Sequence, residues 1–147
     1  METVVVPLPY EDIAINTAGH IDYNAERVFT RGQCHALALA LHRLTGWELY
    51  GLYSPGEWRR KETPGHVVVK SPDGMYIDIT GDNALEGWRA YWPEATPHAL
   101  TEAQVLEFEH DDYQKPFIEA AKPYAITLFL LYGKGQAAVQ MRLPFGA

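Results

Sequence analysis

The sequence predicts an α+β domain that contains a cysteine-bearing helix and an antiparallel β-hairpin. Three observations lead to this fold class. A helical stripe of apolar residues runs through 33–44 and ends at Thr45-Gly46, where glycine suits a helix C-terminus. Two apolar segments of strand length, 66–70 and 75–79, are joined by the turn Ser71-Pro-Asp-Gly74, which indicates a β-hairpin. Further helical segments follow this hairpin.

The remaining elements are predicted from shorter patterns. N-terminal to the cysteine helix we expect an edge strand at Val4–Val6, helical spacing around Asp12–Ile15 and a helix around Tyr23–Val28. Between the helix and the hairpin we expect a strand at Trp47–Tyr53 and a polar loop at Ser54–Pro64.

C-terminal to the hairpin we expect a short helix within Asp82–Trp92 and a capped helix from Thr101 to about Glu109. We then expect a helix from Lys115-Pro116 to Gly133 and a last strand over Ala137–Leu143.

Composition and charge restrict the class of protein. The chain has 147 residues, which fits one domain over 1–147. Its 12 basic and 19 acidic residues give a net charge of −7, which argues against binding to nucleic acid or to an anionic membrane. The most apolar stretch, Ala120–Tyr132, is shorter than the ~20 residues of a membrane span. The N-terminus lacks the pattern of a signal peptide, and we therefore expect a cytoplasmic protein.

The position of Cys34, the only cysteine, predicts a reactive thiol. It lies at the first turn of the predicted helix, where unpaired N–H groups and the helix dipole favour an anion. Such a site lowers a thiol pKa from ~8.5 towards ~3.5–7.5, especially when a histidine lies close. Cys34 is therefore a candidate nucleophile.

The hairpin supplies a histidine and a carboxylate for this thiol. A three-residue Pro-Asp-Gly loop with glycine in the left-handed conformation pairs Ser71 with Met75. In that register His66 and Asp78 share one face as diagonal neighbours, close enough for the carboxylate to hold the imidazole. A two-residue turn, with Ser71 opposite Gly74, would instead put them on opposite faces.

These three side chains are the parts of an activated nucleophile. His66 takes the proton of Cys34, and Asp78 orients the imidazole. The backbone N–H of Cys34 is one oxyanion donor, and a side-chain amide of Gln33, Asn24 or Asn16 is a candidate for a second. His35 is a candidate wall residue, and Trp58, in the polar loop before His66, is a candidate for lining the substrate groove.

These motifs resemble the transglutaminase-like and papain-like cysteine enzyme superfamily. The resemblance covers roughly 29–83 and consists of Gly32-Gln-Cys34 opening an Ala/Leu-rich helix, His66 opening a valine strand, and Tyr76-Ile-Asp78 on the next strand. It implies a helix bearing the cysteine packed on an antiparallel sheet bearing the histidine and aspartate. It also implies a hydrolase or acyl-transfer enzyme that attacks an amide or peptide bond of a peptide, a protein or a small amide through a thioester. The chain departs from typical papain-like proteases in having Cys34-His35 in place of a Cys-Trp pair.

Two other functions fit the same residues. Cys34, His66, Asp78 and His35 have the side-chain types of a zinc site, but local metal-binding spacings such as Cys-x-x-Cys do not occur, and we expect no metal or cofactor. A non-catalytic binding or immunity-type protein with this fold would use its acidic charge to capture a basic partner. Patterns in the sequence do not indicate an oligomeric state.

Overall fold

An antiparallel sheet with helices packed on it forms the core of this α+β structure, a computed structural model that describes residues 2–108 and 113–133. The strands are β1 (Thr3–Pro7), β2 (Asp12–Asn16), β3 (Glu48–Tyr53), β4 (His66–Lys70), β5 (Tyr76–Asp78), β6 (Gly81–Asn83) and β7 (Thr96–Leu100). The helices within the described ranges are α1 (Tyr23–Arg31), α2 (Cys34–Thr45), α3 (Leu85–Arg89), α4 (Glu102–Glu107) and α5 (Ile118–Tyr132).

The strands form two sheets. β1 and β2 pair as a separate antiparallel hairpin, and the other strands form a five-stranded sheet in the order β6-β5-β4-β3-β7. Each neighbouring pair in the larger sheet is antiparallel. Helix α2 packs on β4 and on α5. The predicted α+β class, with the cysteine helix on an antiparallel sheet and helices C-terminal to it, is confirmed.

Helix α2 forms because its apolar positions follow the helical repeat. Leu37, Leu41 and Leu44 are all buried, and burial of a leucine side chain typically stabilises by about 1.5–3 kcal/mol. The helix ends at Gly46, whose φ of 78° is left-handed and whose N–H donates to His42 O at 2.8 Å. This is the glycine C-terminus that the sequence predicts.

The segment around residues 12–15 is a strand, so the predicted helical spacing there was wrong. Ile13 and Ile15 are buried while Asp12 and Ala14 are exposed, which is the alternation of a half-buried strand. In the pairing with β1, Val6 lies opposite Ile13. A five-residue segment holds too few positions to separate a period of two from one of 3.6.

C-terminal to β5 the structure adds two strands that were not predicted. β6 occupies the start of the range assigned to a short helix, and the helix itself, α3, is shorter than that range. β7 contains Pro97 and lies at the edge of the sheet, where a missing backbone N–H is tolerated. The predicted capping box is present, with the Gln104 N–H donating to Thr101 Oγ1 at 3.1 Å.

Helix α5 runs over the predicted region but begins at Ile118, after Lys115-Pro116, and ends before Gly133. Pro123 lies inside it and interrupts one backbone hydrogen bond. Next to this point, a Cβ on Gly19 would lie 2.4 Å from Pro123 O, so only glycine fits there. Thr127 Oγ1 donates to Gly19 O at 2.8 Å and joins the two segments. The strand predicted at Ala137–Leu143 lies outside the described residues.

Candidate active site

The turn between β4 and β5 sets the register that places the histidine and the carboxylate together. Ser71 N donates to Met75 O at 2.9 Å, Gly74 N donates to Ser71 O at 2.9 Å, and Gly74 has a left-handed φ of 83°. This turn pairs Val69 with Ile77, which is the register predicted for the three-residue loop. The alternative two-residue turn is absent from this hairpin.

His66 and Asp78 form a direct hydrogen bond at one end of the sheet. His66 Nε2 lies 2.8 Å from Asp78 Oδ2, and both side chains are largely buried. The other carboxylate oxygen accepts from Thr80 N at 2.9 Å and from Thr80 Oγ1 at 2.5 Å. The His66 ring also packs on Trp88, with 5.2 Å between centroids. These contacts fix the imidazole and leave its Nδ1 for the thiol.

The N-terminus of α2 delivers Cys34 to this imidazole. The first hydrogen bonds of the helix are donated by Ala36 and Leu37 to Gln33 O, so the N–H groups of Cys34 and His35 stand outside the helical ladder. Cys34 is buried, with 6% of its surface exposed. A thiolate here faces the positive end of the helix dipole and the His66 ring.

Electrostatics at the pair favours charge on both groups. Burial by itself would raise the pKa of the Cys34 thiol, but the charge of His66 and hydrogen bonding to the His35 and His66 rings lower that pKa from 9.0 to about 6. Burial likewise opposes charge on His66, but the Cys34 thiolate and Asp78 raise the imidazole pKa from 6.5 to about 10. Between these two pH values the pair is a thiolate and an imidazolium.

A segment from Tyr113 to Phe117, here called the strap, crosses beside the cysteine. Gln33 holds it through both halves of its amide: Nε2 donates to Lys115 O at 3.2 Å, and Oε1 accepts from Phe117 N at 2.9 Å. His35 Nε2 donates to Gln114 O at 2.6 Å. The two residues that flank Cys34 therefore bind the strap with their buried side chains.

Tyr113 is the site residue that the sequence did not reveal. Its hydroxyl donates to Pro64 O at 2.6 Å, and its ring packs edge-on against His35 at 4.9 Å between centroids. Burial, followed by the charge of Cys34 and a hydrogen bond with that residue, raises the pKa of Tyr113. The hydroxyl therefore stays neutral beside the thiolate. Tyr113 lies between two predicted helices, in a stretch with no motif to mark it.

Cys34 lines an open cleft of about 390 Å³. The cleft is lined by the end of α1, by the polar loop before His66 and by the strap. The lining residues used below are Arg31, Cys34, Glu57, Pro64, Tyr113 and Gln114. The volume is in the range of sites that take small molecules or single side chains.

The other candidate side chains are engaged in contacts of their own or line another cavity. Asn24 is exposed on α1, and its Nδ2 donates to Ala14 O at 3.2 Å. The amide of Gln33 is committed to the strap, and Asn16 Nδ2 donates to His20 O at 2.8 Å. Trp58 stacks on His98 at 4.2 Å between centroids and lines a separate cavity of about 720 Å³. Of the predicted polar candidates, the structure places His35 beside the thiol.

Two further observations concern metal binding and insertion into a membrane. Within residues 2–108 and 113–133, no group of three or more His, Cys, Asp or Glu side chains is arranged to hold a metal ion. Over the same residues, no helix has the length and apolar character needed to cross a membrane.

Comparison of the chain with protein-family models, with curated proteins and with solved structures found no match. The resemblance to transglutaminase-like and papain-like enzymes therefore stays a prediction from the motifs. The basis for proposing a function is the arrangement of Cys34, His66 and Asp78.

Proposed function

We propose that this protein is a cysteine-dependent hydrolase or acyl-transfer enzyme that acts on an amide or peptide bond through a thioester. One observation carries the proposal: a buried cysteine at a helix N-terminus lies against an imidazole whose other nitrogen is held by a buried carboxylate. A cysteine with only a packing role does not need an oriented imidazole and carboxylate beside it. We propose Cys34 as the nucleophile, His66 as the acid and base, and Asp78 as the orienting group.

The acylation step follows from the ion pair. The Cys34 thiolate attacks the carbonyl carbon of the amide and forms the C–S bond, and the carbonyl electron pair moves onto oxygen. The Cys34 N–H, outside the helical ladder, is available to that oxyanion. The intermediate collapses with cleavage of the C–N bond, and the His66 imidazolium gives its proton to the departing amine.

The thioester is then resolved with His66 as base. Neutral His66 takes a proton from water or from an incoming amine, which attacks the thioester carbonyl. The C–S bond breaks, and the sulfur leaves as a thiolate beside the imidazolium, which restores the starting pair. Asp78 holds the same tautomer of His66 through both steps.

Alkylation of the thiol across pH tests this proposal. We expect the second-order rate of iodoacetamide with the native protein to rise with an inflection near the Cys34 pKa of about 6. Peptide mapping by mass spectrometry should place the label on Cys34, and Cys34→Ala should remove it. An inflection near the ordinary thiol pKa of 9.0, or a thiol that reacts only after denaturation, would contradict the proposal.

A variant of His66 separates an activated thiol from an exposed one. In His66→Gln the imidazole is lost while a polar side chain of similar length remains, so we expect the inflection to move up towards the ordinary thiol value. His42→Gln is the matched control, because His42 lies at the other end of α2 and its Nδ1 contacts Trp47 O. A binding protein without catalytic function would show no such dependence on His66.

A further inference from the structure

Arg31 places a cation at the cleft. It is the last residue of α1, its side chain is exposed, and it lines the cleft together with Cys34. Among the described residues no carboxylate forms an ion pair with it. One turn earlier on the same helix, Arg27 pairs with Glu11 at 2.6 Å.

The position of Arg31 matters more than its lack of an ion pair. Among the described residues, Arg43 and Lys122 pair with carboxylates, whereas Arg59 and Lys61 do not. Arg31 differs from these cations because it lines the cleft together with Cys34. An unpaired guanidinium beside the nucleophile is therefore available to a group brought by the ligand.

The carboxylate that shares the cleft has a partner of its own. Glu57 Oε1 accepts from Ser54 N at 2.5 Å, which ties this side chain to the start of the loop. Glu57 and Arg31 line the same cleft and form no ion pair with each other. Among the described residues that line the cleft, Arg31 is thus a free cation, and Glu57 is an anion engaged by the loop backbone.

We infer that the substrate carries a carboxylate close to the amide that Cys34 attacks, and that Arg31 binds this carboxylate. The inference rests on the proposed function and specifies its substrate class. A guanidinium presents two parallel N–H donors that match a carboxylate, which orients the ligand as well as attracting it. A cleft of about 390 Å³ takes a group of amino-acid size, such as an amide with a carboxylate nearby.

Two alkylating reagents of nearly equal size test the inference without knowledge of the substrate. Iodoacetate carries a carboxylate and iodoacetamide is neutral; with each, the sulfur forms a bond to the methylene carbon and iodide leaves with the electrons of the C–I bond. We expect Arg31→Gln to lower the ratio of the iodoacetate rate to the iodoacetamide rate by about fivefold, as for loss of one unit charge ~4 Å away in water. Glu57→Gln should raise the same ratio.

Arg27→Gln is the matched control, because it removes the same charge from the same helix outside the cleft. It should leave the ratio at the wild-type value. The wild-type ratio should also fall at ~1 M salt, where the screening length is ~3 Å, and this measurement does not depend on the folding of a variant.

The outcomes distinguish the inference from the function on which it rests. A thiol that reacts rapidly with both reagents, at a ratio that neither Arg31→Gln nor salt changes, overturns the inference alone. A thiol that both reagents leave unmodified at neutral pH overturns the proposed function and the inference together. A ratio that falls equally in Arg31→Gln and Arg27→Gln shows a long-range charge effect and also overturns the inference.

Discussion

At the scale of single residues, the chemistry of the site depends on how one proton is shared between Cys34 and His66. Burial disfavours charge on both groups, yet each pKa moves in the direction that stabilises the ion pair. Asp78 contributes by accepting a hydrogen bond from the nitrogen of His66 that faces away from the thiol. The reactive state is therefore held by three neighbouring groups, and removal of any one should change its pH range.

The first prediction at this scale concerns Asp78→Asn. Burial opposes charge on His66, and after Cys34 the Asp78 carboxylate is the main group that raises its pKa to about 10. Without the negative charge, we expect the imidazole pKa to fall towards 6.5, with each unit equal to a tenfold change in the protonated fraction. Titration of the His66 ring by NMR measures this directly.

The control for Asp78→Asn is Asp82→Asn. Asp82 is exposed on β6, opposite Ile77 in the neighbouring strand, so its loss removes a carboxylate close in the fold but away from the ring. We expect no change in the His66 titration. Equal titration curves for wild type and Asp78→Asn would mean that the carboxylate does not stabilise the imidazolium.

At the scale of elements, the strap and the N-terminus of α2 form one unit. Gln33 and His35 hold the strap on either side of the cysteine, while Tyr113 hydrogen-bonds Pro64 O, close to the start of β4. The strap thus links the helix that carries Cys34 to the strand that carries His66. This linkage uses buried side chains, and we expect it to be sensitive to their removal.

The second prediction concerns this linkage. In Gln33→Ala the strap loses two hydrogen bonds and the Phe117 N–H loses its acceptor, which should lower the free energy of unfolding by about 2 kcal/mol. Amide hydrogen exchange at Phe117 should become faster than in wild type. Gln104→Ala, which removes the capping box of α4, is the control and should leave this exchange rate unchanged. Unaltered exchange in Gln33→Ala would show that the strap is held by other contacts.

At the scale of the whole molecule, the ion pair couples stability to pH. The Cys34 pKa is lowered from 9.0 to about 6 on folding, so its contribution is present above 9.0 and is lost as pH falls through 6. The His66 pKa is raised from 6.5 to about 10, so its contribution is present below 6.5 and is lost as pH rises through 10. Because each pKa shift depends on the charge of the other group, the ion pair adds most to the free energy of unfolding between pH 6.5 and pH 9.0.

The third prediction concerns how the free energy of unfolding changes with pH. We expect the wild type to gain stability over Cys34→Ser between pH 6 and 9, and this advantage to shrink below pH 6 and above pH 10. Urea unfolding of both proteins across this pH range measures the difference directly. A difference that is constant with pH would indicate that the thiol is not ionised in the folded state.

Features that depend on local patterns could be predicted from the amino-acid order alone. The stripe of Leu37, Leu41 and Leu44 predicted α2, and the Pro-Asp-Gly turn fixed the register that joins His66 to Asp78. Turn geometry and side-chain periodicity act over a few residues, so they can be read without the rest of the chain. The net charge of −7 can also be read from the sequence, but it did not show that Arg31 lines the cleft beside Cys34.

Contacts between groups far apart in the chain are set by the folded arrangement of the elements. Gln33 was a candidate oxyanion donor by its place next to Cys34, but folding brings the backbone of Lys115 and Phe117 to its amide. Tyr113 reaches the thiol across a separation in sequence that no local pattern encodes. β2 and β7 depend in the same way on their neighbours in a sheet, since short strands gain their stability from pairing and burial rather than from intrinsic propensity.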